Sequence, residues 1–257
     1  MQDTAVHRSA CVRVSVVLAA VLPLGCGSAS QPSDSASSAE ALSLRLETAH
    51  FRVYAGQASD ATIRGVANTL EDGQPRILGD LGIASMRPVS IRVWQDERTF
   101  LDAMQVFLGQ RFNATGYITG PEELRVLAVP RLEINSTHEL CHAASLYVNP
   151  AFANNPRWFW ETVALYENRE FVHPRTLSYL ANGAAFPTLS QLNADPNSSQ
   201  RIYDLGYVLG EFIVSRVGQP GFLDLIRRNG DTVSVMGLSD ASFEAAFAEF
   251  VRARYLS

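Results

Sequence analysis

Hydrophobic and polar positions alternate with period two over HFRVYAG (50–56), where Phe51 and Val53 are interleaved with Arg52 and Tyr54, the pattern of a half-buried strand. From 60 to 81 the period changes. Ile63, Val66, Ala67, Leu70, Ile77, Leu78 and Leu81 recur at helical spacing, and Gly73 and Pro75 interrupt the stripe, predicting a kink or a break into two helices. PVSIRVWQD returns to alternation at Val89, Ile91 and Val93 and predicts a second strand; ERTFLDAMQVFL after it predicts a short amphipathic helix. ATGYIT and LRVLAV, on either side of Gly120-Pro121, predict a hairpin, one strand of which can form a sheet edge bordering a cleft.

From Leu132 onward the period is helical, over 132–148, 156–170, 203–217, 221–228 and 239–255, with Pro-, Asn- and Gly-rich loops between the runs. Strands first and helices afterwards, without an alternating strand–helix–strand pattern, predict an α+β domain. Its expected form is a small N-terminal mixed sheet with helices, followed by a mainly helical C-terminal half.

The first 25 residues predict a removable export signal. Arg8 and Arg13 supply a positive start, VSVVLAAVL is an apolar stretch too short to span a membrane as a mature helix, and LPLGC follows. This end resembles a bacterial lipoprotein signal, which implies lipidation of Cys26 and anchorage to the cell envelope, the outer membrane or the periplasmic face. Without lipidation the product is secreted. GSASQPSDSASSAE then reads as a flexible spacer. The chain divides accordingly into a signal (1–25), a lipidated Cys and Ser-rich linker (26–48), and one domain (49–257).

Composition narrows the function classes. Hydrophobic residues make up 47% and charged residues 18%, values of a globular chain. Loss of the signal removes Asp3, Arg8 and Arg13 and takes the formal charge from −5 to −6, an acidic body that argues against nucleic acid as partner. All 21 basic residues are Arg, so Lys-based covalent chemistry is excluded. Of the three cysteines only Cys141 lies in the body, so no intramolecular disulfide is expected there, and a packed core must stabilise it. Cys141 itself is expected in that core.

Chemistry concentrates in STHELCHAAS (136–145), which carries His138, Glu139 and His142 as H-E-x-x-H. Two readings compete. Histidines four apart on a helix share a face and can meet one ion, while Glu139, about 100° round, can reach a water on that ion. Alternatively, Ser136 and Glu139 spell a capping box, and a glutamate folded onto its own cap cannot serve as base. The metal reading requires a helix that begins before Ser136, near Leu132 or Glu133, and a third ligand. Glu161 in PRWFWETVALYENRE is the candidate, a carboxylate set among Trp158, Trp160, Val163, Ala164 and Leu165, 19 residues after His142. Pro156 suits the first turn of that helix, with Asn154 or Asn155 as cap. Glu167 and Glu170 fall in the polar ENRE and read as the wet end; His173 reads as a loop residue, and His50 has no evident partner.

A HExxH helix, a proline-containing loop and W-x-E on the next helix resemble the gluzincin metallopeptidases, in particular their peptidase MA-like domains. The likeness extends over 49–255 and takes in FPTLSQL, YDLGYVLGEFIVSRVGQPGFLDLIRRNG and SFEAAFAEFVRARY. It implies a zincin-like fold, one Zn2+ on His138, His142 and Glu161, Glu139 as general base, and a peptide or protein substrate. It also implies an oxyanion donor from a later helix, for which Tyr203 is preferred to Tyr207, although both tyrosines equally suit a core-facing stripe. Two positions depart from the family. Thr162 stands where Gly is frequent, and Leu165 stands where thermolysin-like enzymes carry the Asp that would orient a histidine. The expected function is zinc-dependent peptide hydrolysis; the alternative is a zinc-binding, non-proteolytic envelope lipoprotein acting as a binding or assembly factor.

Overall fold

Phe51, Val53 and Ala55 are fully buried along one face of β2 (Phe51–Ala55), as the alternation predicts. Beside it lies β3 (Val89–Trp94) in parallel register, with Val53 opposite Ile91. A parallel pair needs a crossover longer than a hairpin, and α1 (Asp60–Asp80) supplies it. The computed structural model describes residues 41–181, 185–194 and 201–257; the expected signal, the expected lipid site and most of the expected linker lie outside them. β5 (Glu123–Leu127) runs parallel to β3, and β4 (Gly116–Gly120) folds back on β5 as the antiparallel edge. On the other edge β1 (Ser43–Glu47) pairs antiparallel with β2, so the sheet takes in a stretch that the sequence reading leaves in the linker. The strand order is β1-β2-β3-β5-β4, a mixed sheet in an α+β chain.

Two expectations are corrected. β2–α1–β3 is a strand–helix–strand unit, which period-two patterning cannot reveal, because half-buried strands alternate whatever their direction. And α1 runs as one helix, so of the two outcomes expected at Gly73 and Pro75, a kink or a break, the break does not occur. Pro75 costs an interior helix about 3 kcal/mol, yet Leu70 and Ile77, one heptad apart, are both fully buried on the face that packs on the core. That burial carries the helix through. Ser59 opens it, its Oγ accepting from the Thr62 N–H at 3.1 Å.

The sheet has a core on each face. Ile91, Val93, Ile118, Leu124 and Val126 join α1 and the later helices in the large one. Trp94, Tyr117 and Leu127, from the opposite face, meet Phe100, Met104 and Leu108 of α2 (Glu97–Leu108). After β5 comes α3 (Leu132–Val148), whose residues from Asn135 to Leu146 are all buried. A helix enclosed on every side belongs to the interior. Its neighbours include α1, β4, β5 and α4 (Arg157–Glu167). A turn at Pro174–Thr176 and the short helices α5 (Ser178–Ala181) and α6 (Leu189–Leu192) lead to α7 (Arg201–Arg227), which packs along α4 and bends at Gly218 (φ 67°). α8 (Thr232–Met236), α9 (Asp240–Val251) and a wider turn at Arg252–Leu256 close the chain, with Phe243 and Phe247 against Phe212. No helix among the described residues is long and apolar enough to cross a membrane.

One buried carboxyl is poorly compensated. Glu167, 1% exposed at the end of α4, has Oε2 only 3.4 Å from Arg76 Nη1. Burial first, then the nearby Asp80, pushes it up to about 7. A carboxyl raised on folding binds more protons folded than unfolded, so its charge destabilises the fold increasingly as pH rises from about 4.5 toward 7. Urea denaturation should therefore show E167Q gaining on the parent protein, by on the order of 2 kcal/mol, between pH 5 and pH 8. An unchanged difference across that range would refute the account.

Candidate metal centre

α3 begins at Leu132, so Glu139 lies well inside the helix, and the capping-box reading is excluded. Arg131, in the left-handed region at φ 73°, precedes it without a side-chain cap. The Ser136 hydroxyl donates back to the Leu132 carbonyl at 2.8 Å, and Thr137 does the same to Glu133 at 2.9 Å. Both hydroxyls are thus spent within the helix.

His138 and His142 project from one face, ring centroids 4.7 Å apart. Glu161 of α4 meets them. Its Oε2 is 3.3 Å from His138 Nε2 and 3.7 Å from His142 Nε2, and the three residues are between 0% and 1% exposed. None of these three atoms makes a hydrogen bond, nor does Glu161 Oε1, although each is enclosed. Such groups are costly to bury unless something binds their lone pairs. Two ligand atoms on one tetrahedral ion at 2.0–2.1 Å stand about 3.3 Å apart, close to both spacings found here. The donor set therefore fits a metal ion, and the three residues form a group that can hold one.

Protonation favours ligation. Burial pulls His142 down to about 4, so its imidazole is neutral at pH 7. Burial alone would push Glu161 up, but the two imidazoles opposite reverse this and hold it at about 2, ionised.

Neither a protein-family model nor a characterised protein matches the chain. The centre therefore stands on its own geometry, which extends beyond the three ligands. His138 Nδ1 lies 3.2 Å from Glu170 Oε1, so Glu170 orients the ring whose Nε2 points at Glu161. Sequence reasoning missed Glu170, placing it at the wet end of α4. The helix stops at Asn168, Arg169 turns left-handed (φ 56°), and the Glu170 N–H bonds the Leu165 carbonyl at 2.9 Å while the Arg169 N–H bonds Tyr166 at 3.1 Å. This paired-bond helix terminus reverses the chain and carries Glu170 back to α3, where Asn168 Nδ2 donates to its Oε1 at 2.7 Å. No glycine marks the turn, so the sequence signal is weak. Leu165, the departure noted above, packs instead on α7, where a Cβ on Gly206 would stand 2.4 Å from its Cδ1.

The other candidates separate. Glu139 is buried beside the ligands, against the backbone of β4 at Gly116. Tyr203 is near the centre, its ring centroid 6.5 Å from that of His138, whereas Tyr207 packs on Tyr166 and Phe171. Trp160 stacks on His142 at 4.2 Å with 7° between planes, orienting a ring whose Nδ1 has no hydrogen-bond partner. Trp158 packs on Phe159 and Phe243. Cys141 is fully buried, and burial pushes its thiol well up, so it offers no thiolate. His173 accepts from the Arg175 N–H in its loop, and His50 Nδ1 pairs with Glu71 at 2.6 Å. The expected cap of α4 is also corrected: Pro156 is the N-cap residue, and Asn193 Oδ1, from α6's end, accepts from the Trp158 N–H at 2.9 Å.

Removing the carboxylate behind His138 should weaken metal binding without unfolding the chain. E170A is expected to lose roughly 10- to 100-fold in zinc affinity, measured by competition with a chromophoric chelator. An affinity equal to that of the parent would show that Glu170 does not orient the ligand.

Proposed function

We propose that this chain is a zinc metallopeptidase of the gluzincin type. The observation that carries the reading is the separation of roles within one turn of α3: His138 and His142 converge with Glu161, while Glu139 stays outside the ligand set and faces the edge strand β4. Two imidazoles and one carboxylate are a donor set suited to Zn2+. When bound, zinc supplies Lewis acidity toward a substrate carbonyl and makes a water acidic near neutral pH.

The residues supply the rest. Glu139 takes a proton onto its carboxylate from the attacking water and passes it to the leaving amine. Tyr203, beside His138, donates to the developing oxyanion. β4 lies at the end of the sheet order, so a peptide can add to it in extended form and bring its carbonyl past Glu139. Burial of the ligands excludes bulk water and strengthens each of these interactions. The same proposal takes the protein to be exported and tethered through Cys26, supported by the signal-like first 26 residues.

Metal analysis of the purified protein tests the first step. About one equivalent of zinc is expected, with H142A binding almost none; equal and negligible metal in both would sink the proposal. E139Q should keep its zinc and lose about 10²- to 10⁴-fold in peptide hydrolysis. Full turnover by zinc-loaded E139Q would remove Glu139 from the chemistry.

A further inference from the structure

Gly116 stands inside β4, where glycine weakens a strand and calls for a reason. Backbone conformation is not that reason, because Gly116 does not take a positive φ. Space is. A Cβ built there would stand 2.6 Å from Glu139 Oε1, 2.9 Å from its Cγ and 3.0 Å from its Cδ, and these are its three nearest neighbours. The carboxylate of Glu139 thus rests in the place where any other residue would put a side chain.

The strand has no slack with which to retreat. Thr115, next to Gly116, accepts from Asn135 Nδ2 at 3.1 Å, and Asn135 is one helical turn before Glu139 on the same face of α3. On its other side Thr115 holds β5 through the Leu127 N–H at 2.9 Å, and Gly116 itself pairs with Val126. Helix and edge strand are therefore tied together one residue from the contact. The mobile partner is the glutamate side chain.

We propose that Gly116 is a positioning residue for Glu139: its missing Cβ forms the seat that holds the carboxylate beside the metal centre. The inference rests on the metallopeptidase reading and deepens it, by making residue 116 of the edge strand a determinant of where the base sits. A methyl group there moves the carboxylate off its seat and leaves the ligands alone. A displacement of about 1 Å at a reacting group costs on the order of 100-fold in rate.

The experiment compares G116A, E139Q and the double variant in the intact zinc protein. G116A should keep its full metal content and lose on the order of 100-fold in kcat with KM little changed. In the E139Q background the same substitution should cost nothing further. A kcat for G116A equal to that of the parent, or a loss that adds in full to that of E139Q, would overturn the proposal, as would loss of the metal.

A second readout does not depend on peptide hydrolysis. With Co2+ in place of zinc, the pH midpoint of the visible absorption should shift in G116A in the direction it shifts in E139Q. An unshifted midpoint overturns the seat; a shift without hydrolysis in the parent protein upholds the seat and rejects the peptidase. Should G116A fail to fold, G116A/E139A, which removes the Cγ, Cδ and Oε1 that the methyl group would strike, should fold again. If it does not, Glu139 is not what the methyl group strikes.

Discussion

Two imidazole nitrogens and a carboxylate oxygen, buried together without hydrogen bonds, set the terms for the whole C-terminal half. Lone pairs enclosed in this way destabilise a fold unless a cation joins them. The arrangement persists because each ligand is held from behind: His138 by Glu170, His142 by the face of Trp160, and Glu161 by a helix whose apolar residues leave it no route to water. The centre is thus preorganised, with its ordering cost met by packing around it rather than at the moment of binding.

The fold converts that demand into positions. Parallel strands β2, β3 and β5 place α1 against one face of the sheet, and the chain leaves β5 directly into α3, which lies under that face and is enclosed along most of its length. Enclosure rigidifies the helix carrying the histidines. The antiparallel turn-back of β4 then brings a sheet edge alongside Glu139, and the tie between Thr115 and Asn135 sets the gap. The candidate metal site lies where an interior helix, an edge strand and a second helix meet.

Charge is distributed unevenly within the same interior. At the candidate metal site, ionised Glu161 faces the imidazoles of His138 and His142. Toward α1, Glu167 sits near Arg76 and Asp80 with its proton held up to about neutral pH. Two glutamates six residues apart on one helix thus have opposite tendencies. The difference arises from what each faces, two imidazoles or one arginine beside a second acid.

How much of this was legible in the chain depended on whether the signal was local. Periodicity located α2 and α3 by their end residues, and the H-E-x-x-H spacing picked out two candidate ligands, because four-residue spacing on a helix is a local fact. Glu161 was legible as a carboxylate among apolar neighbours. Glu170 was not, since its role arises from a left-handed turn at Arg169 that lacks the usual glycine. Gly116 was not, since its meaning is a distance to a side chain 23 residues later. Nor was the parallel pairing of β2 with β3, because alternation records which face is buried and not which way the neighbour runs. Sequence alone determined the helix that bears the histidines and the residue types able to hold a metal. Tertiary structure alone decided which carboxylate stands behind the site and where Glu139 rests, because those are relations between elements that only packing brings into contact.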